Sequence, residues 1–103
     1  MENLPDSKFK HGQIKMTKEV EHDLRLSPSF KQFVVRSLAK YFLCNWGDTD
    51  STNWYDNDKC VRDGGDILAL YIYKPTNTRL WIATPADRSA TTCFYCNVVA
   101  PSV

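Results

Sequence analysis

Four cysteines are the residues of this chain best suited to chemistry: Cys44, Cys60, Cys93 and Cys96. Cys93 and Cys96 form Cys-Phe-Tyr-Cys, and two intervening residues let both thiolates reach one ion. The other spacings, about 15 and about 32 residues, match no standard zinc-finger pattern. Even so, Cys44 and Cys60 fall at expected helix ends and the pair at 93 and 96 in an expected last strand. A tetrathiolate zinc would tie these ends together, and with no open coordination position it would be structural. The alternatives are four inert buried thiols or disulfides. One geometric condition applies: in a regular strand, residues 93 and 96 point to opposite faces, so the zinc reading needs an interruption between them. His11 and His22 are alternative ligands, both in a polar N-terminal stretch where surface roles are expected.

Catalytic patterns are sparse. Asp87 and Ser89 flank Arg88, but both histidines precede residue 23. A hydrolase acting through Asp87 and Ser89 is therefore the weakest reading. Asp87-Arg88-Ser89 reads more simply as a turn whose carboxylate accepts local amides. No phosphate-cradling glycine loop and no zinc-protease helix motif occur, so the chain is not expected to be an enzyme.

The elements that position these residues follow from periodicity. Gln13 to Met16 is a short extended piece. Thr17 can cap a helix running to about Arg25, and Ser27-Pro28 restarts a second one through about Leu43. In it Phe30, Phe33, Val34, Leu38, Tyr41 and Phe42 share a face. Asp50, Ser51 or Thr52 can cap a third helix through about Val61, which Gly64-Gly65 ends. Beyond the glycines the period becomes two. Ile67 to Tyr73, Arg79 to Thr84 and Thr91 to Val99 read as strands joined by turns, and the first of them looks covered or half covered on both faces. The expected fold is α+β: N-terminal helices on one face of a three-stranded antiparallel meander, with or without a short extra N-terminal strand. Residues 1–11 are read as a flexible arm, and residues 12–103 as a single domain of the size one core can support.

Net charge is +1, so no global field favours nucleic acid or membrane. Charge is nevertheless segregated. Residues 1–40 hold eight basic and five acidic groups, whereas residues 41–66 hold six aspartates against Lys59 and Arg62. Asp48, Asp50, Asp56, Asp58, Asp63 and Asp66 are most simply caps and a solvated helix face. Their sharper reading is a partner-binding surface complementary to a basic channel. Trp46 reads as a core plug. No apolar run is long enough to span a bilayer, and the first dozen residues lack the apolar core of a secretory signal. A cytoplasmic location and a monomeric state are expected.

Several segments occur together in a familiar order: Gly12-Gln13-Ile14, Phe30 to Tyr41, Trp46-Gly47-Asp48-Thr49, Asn57-Asp58 with Gly64-Gly65, Leu68 to Tyr73, Leu80-Trp81-Ile82, and Ala86-Asp87-Arg88-Ser89-Ala90-Thr91-Thr92. This resembles a family of small proteins of phages, plasmids and integrated elements. The match spans about residues 12–92. The family usually has Glu where this chain has Pro85, and it does not require the four cysteines. The chain also looks like an anti-CRISPR protein of the type II class, among which zinc-holding members are known. That likeness implies a protein partner, the host type II CRISPR effector nuclease, and obstruction of target-DNA engagement without direct nucleic-acid contact. The competing expectation is a zinc-stapled nucleic-acid-binding or other host-interaction module of a mobile element.

Overall fold

The computed structural model describes residues 4–96. Its elements run β1 (Gln13–Met16), α1 (Lys18–Leu26), α2 (Pro28–Phe42), α3 (Ser51–Asp63), β2 (Ile67–Tyr73), β3 (Thr78–Thr84) and β4 (Ala90–Phe94). Each helix begins on a side-chain cap: Thr17 accepts from the Val20 amide, Ser27 from Phe30 and Asp50 from Asn53. These oxygens satisfy amides that the first helical turn leaves orphaned.

The strands form one sheet in the order β1-β4-β3-β2. β2, β3 and β4 make the expected antiparallel meander. The short N-terminal strand joins as a fourth member, parallel to β4, with Ile14 opposite Thr91 and Met16 opposite Cys93. The sheet is thus mixed, and β1 closes the far side of β4. The stretch 97–99 of the expected last strand lies outside the described residues.

Helices α1 and α2 cover one face, with α2 against β2 and β3 and α1 against β4. The core between the layers contains Val34, Leu38, Tyr41, Phe42 and Trp46, with Ile67, Ala69, Tyr71, Leu80, Ile82 and Cys93 from the strands. Residues 4–11, expected as a loose arm, lie against this core. Phe9 packs edge-on to Tyr41 at 5.5 Å, His11 stacks on Phe42 at 4.4 Å, and the Lys8 amide donates to Phe42 O. The aromatic residues at the end of α2 supply apolar surface that Phe9 can bury, an attraction no local sequence pattern announces.

A chain of hydroxyls crosses this interior. Tyr41 and Thr84 are 2.7 Å apart, as are Thr84 and Thr91, and the Thr91 hydroxyl donates to His11 O at 2.8 Å. The carbonyl at one end can only accept, so the direction is fixed. Tyr41 donates to Thr84, Thr84 to Thr91 and Thr91 to His11. Burial is the largest influence on the Tyr41 phenol and raises its pKa, keeping the donor protonated.

The outer edge of β2 is finished by side chains. Asn57, buried on α3, donates from Nδ2 to Leu68 O at 2.8 Å and accepts the Leu68 amide on Oδ1 at 3.2 Å. The Leu70 amide donates to Thr49 Oγ1, and Leu70 O accepts from the Asp48 amide. The Ile72 amide donates to Asp48 Oδ2. Gly47 makes the close approach possible at φ 63, because a Cβ there would lie 2.4 Å from the Tyr71 ring. Trp46 is fully buried behind this turn, and its Nε1 donates to Asp58 at 2.9 Å.

Replacing Asn57 removes both bonds to Leu68 and reopens the strand edge. Asn57→Ala is expected to lower unfolding stability by about 1–3 kcal/mol in urea titrations, and to promote concentration-dependent self-association by gel filtration. The neighbouring exposed change Asp56→Ala is expected to stay within about 0.5 kcal/mol of the parent.

Candidate functional site

The four cysteines are free thiols occupying separate places in the fold. Cys44 ends α2. It adopts φ 62, its amide donates to Tyr41 O, and the following Asn45 amide reaches back to Lys40 O. That bond pair is a Schellman motif, with cysteine in the left-handed position that usually holds glycine. Cys60 sits in the last turn of α3 beside Gly65, where a Cβ would come within 2.8 Å of its Sγ. Cys93 faces the core between Met16 of β1 and Ile82 of β3, and burial pushes its thiol up to about 12. Cys96 is exposed. β4 stops at Phe94, so the strand ends between Cys93 and Cys96, as the zinc reading requires. Among the described residues, however, no three His, Cys, Asp or Glu side chains converge as ligands for one ion. Cys93 is packed in the core, whereas Cys96 lies exposed beyond the end of β4.

The six aspartates are also dispersed, and four have internal duties. Asp48 holds the Ile72 amide, and Asp50 caps α3. Asp58 accepts from Trp46, and Asp66 accepts the Ala86 amide at 2.8 Å. The Asp56 side chain has no hydrogen bond or ion pair among the described residues. Asp63 lies 3.9 Å from Arg62, with both side chains more than half exposed, a separation at which little stability is gained.

The turn before β4 shows the local chemistry expected of it. Asp87 accepts the Ser89 amide at 2.9 Å, and hydrogen bonding from Ser89 lowers its pKa. Arg88, at φ 58, turns away from Asp87 and donates to Gly65 O, Pro85 O and Cys60 O. Its guanidinium therefore sits on carbonyls at the C-terminal end of α3, where the helix dipole favours a cation. Gly12 packs on this turn so closely that a Cβ would lie 2.3 Å from Ser89 O. The motifs quoted from the sequence thus build two seams, one along β2 and one joining the β3–β4 turn to α3 and the start of β1. His11 and His22 do not reach Asp87 or Ser89: the His11 ring stacks on Phe42, and its Nδ1 has no partner among the described residues. His22 is exposed on α1.

The sequence reading expected both faces of β2 to be covered or half covered but named no site residues on the sheet's second face. Leu70 pairs with Trp81, and Trp81 with Phe94, so the three side chains form one row across β2, β3 and β4. Leu68 stands in the next row, opposite Ala83 and 43% exposed. None of these four belongs to the core or to the partly buried residues packed against it, whereas Trp54, Cys60 and Val61 of α3 do. The row is bordered by Arg79, Thr92 and Lys15 at neighbouring register positions. The unbroken apolar run of β2 was the available signal, since a strand apolar at every position has two faces to cover and α1 and α2 cover one.

No family model, curated protein or solved structure matches this chain. No helix among the described residues is long and apolar enough to cross a membrane.

Two measurements address the cysteines. Cys44→Gly is expected to change stability by no more than about 1 kcal/mol, since glycine is at ease in the left-handed position. Dialysis against a zinc chelator is expected to leave the thermal midpoint unchanged. Native mass spectra showing one zinc per chain, lost in Cys44→Gly together with folding, would establish the tetrathiolate.

Proposed function

We propose that this protein acts by binding: it docks the outer face of its sheet on a larger protein and obstructs that protein's work. The observation that carries this reading is the Leu70–Trp81–Phe94 row, apolar, in register and outside the core. An apolar centre built round a tryptophan, with Arg79, Thr92 and Lys15 nearby, has the composition of an interface hot spot. A small domain with a stiff sheet loses little freedom on docking, which leaves more of the contact energy for affinity.

The resemblance of the sequence to anti-CRISPR proteins of the type II class supplies the partner: the host CRISPR effector nuclease, kept from engaging target DNA by occupancy. Asp56 and Asp63, exposed on α3 and bearing little of the fold's internal bonding, can meet a basic surface of such a partner. Zinc is not needed for this reading, because the docking face is built from strand register alone.

The test is a pull-down of purified effector nuclease, followed by calorimetric titration. Trp81→Glu is expected to weaken binding at least a hundredfold while the far-ultraviolet circular dichroism stays that of the parent. Asp56→Lys with Asp63→Lys is expected to cost less, mainly through a slower on-rate. Unaltered affinity in folded Trp81→Glu would overturn the docking face, and absence of any complex with the parent would overturn the choice of partner.

A further inference from the structure

A groove of about 670 Å³ runs between α2 and the C-terminal end of β2. One wall is a single stripe of α2 that includes Arg36 and Lys40, one helical turn apart. The other includes Lys74, just past β2. Phe33 and Tyr73 form part of the lining, with ring centroids 5.0 Å apart. Asp48 is the groove's one carboxylate, and one of its oxygens is already engaged by the Ile72 amide.

What sets the three cations apart is that they line one concavity. The ion pairs among the described residues are Arg25 with Glu21 and Arg62 with Asp63. Arg36, Lys40 and Lys74 have no carboxylate within ion-pair distance among those residues, though all three line one concavity. Like charges gathered in this way repel one another, and an anion entering the groove relieves that repulsion. Side chains four residues apart on a helix stand about 6 Å from each other. Arg36 and Lys40 can therefore take two separate anionic groups of one ligand while Lys74 meets a third from across the groove. Phe33 and Tyr73 pack on each other and on Phe30, and their partly exposed rings in the same groove suit a ligand that carries flat rings as well as charges.

We infer that this groove binds a short stretch of single-stranded nucleic acid. Arg36, Lys40 and Lys74 hold successive phosphates, and Phe33 with Tyr73 offers a face to a base. Cationic tracks with interleaved aromatic residues are how single strands are held without sequence preference. An acidic peptide would use the cations and leave the rings unemployed. A duplex is excluded by shape, since its bases are turned inward and a groove offers no protruding element to enter it. This inference is independent of the docking face.

The experiment is fluorescence anisotropy of a labelled twelve-nucleotide thymidine oligomer with the full chain, titrated across a range of salt. Three phosphate contacts predict a slope of log affinity against log salt of about −2, from about −0.7 per contact for a single strand. Lys40→Ala with Lys74→Ala leaves one contact and is expected to reduce the slope to about −0.7 and to weaken binding at least tenfold at low salt. Trp81→Glu is expected to leave the oligomer affinity as it is, which separates this site from the docking face. Three outcomes would overturn the inference: no binding at low salt, equal binding of a polyglutamate of matched charge, or equal binding of the corresponding duplex. An unchanged salt slope in the folded double variant would also overturn it.

Discussion

The architecture depends on how β2 ends the sheet. An edge strand presents a row of unpaired amides and carbonyls, and proteins must cover, twist or charge such an edge. Here the covering is made of side chains set at three points along the strand. Asn57 answers both polar groups of Leu68, Thr49 with the Asp48 amide answers Leu70, and the Asp48 carboxylate answers the Ile72 amide. The same contacts fix α3 beside the sheet and seat the turn that carries Trp46 into the core. Edge satisfaction, helix placement and core filling are one arrangement, so a change at Asn57 or Asp48 is felt in all three.

This arrangement explains what could and could not be read from the chain. Helix starts were legible at Thr17 and Ser27, and to within Asp50, Ser51 or Thr52 for α3, because a cap is a bond over three residues. β2 and β3 were legible because alternation is local and their turn is short. The parallel seat of β1 against β4 was not, because it joins residues almost eighty positions apart and parallel pairing leaves no hairpin signature. The docking of Phe9 on Tyr41 escaped for the same reason. Asp48, Asp50, Asp58 and Asp66 look alike in a charge count, yet each accepts a particular amide or indole proton. Only the fold separates them from Asp56 and Asp63.

The two surfaces differ in what they ask of a partner. The Trp81 row offers apolar area and shape, which favour a partner with a complementary pocket and a slow off-rate. The α2 groove offers charge, which acts at longer range and fades as salt screens it. Lined by different residues, they can be occupied together without competing for the same atoms. Three of the cysteines belong to neither surface by position: Cys44 forms a left-handed helix end, Cys60 lies against Gly65 and Cys93 fills the core.

The one-way relay from Tyr41 through Thr84 and Thr91 to His11 O also bears on how this interior can drift. A buried donor left without an acceptor is costly, whereas an acceptor left underused is tolerated more easily. Losing the phenol hydroxyl first leaves Thr84 still donating to Thr91 and strands no proton. Losing Thr91 first strands the Thr84 hydroxyl and abandons the His11 carbonyl in a single step. An apolar version of this interior is therefore most readily reached by erosion from the helix end toward β1, with mutation in the reverse order meeting a stability barrier at its first move.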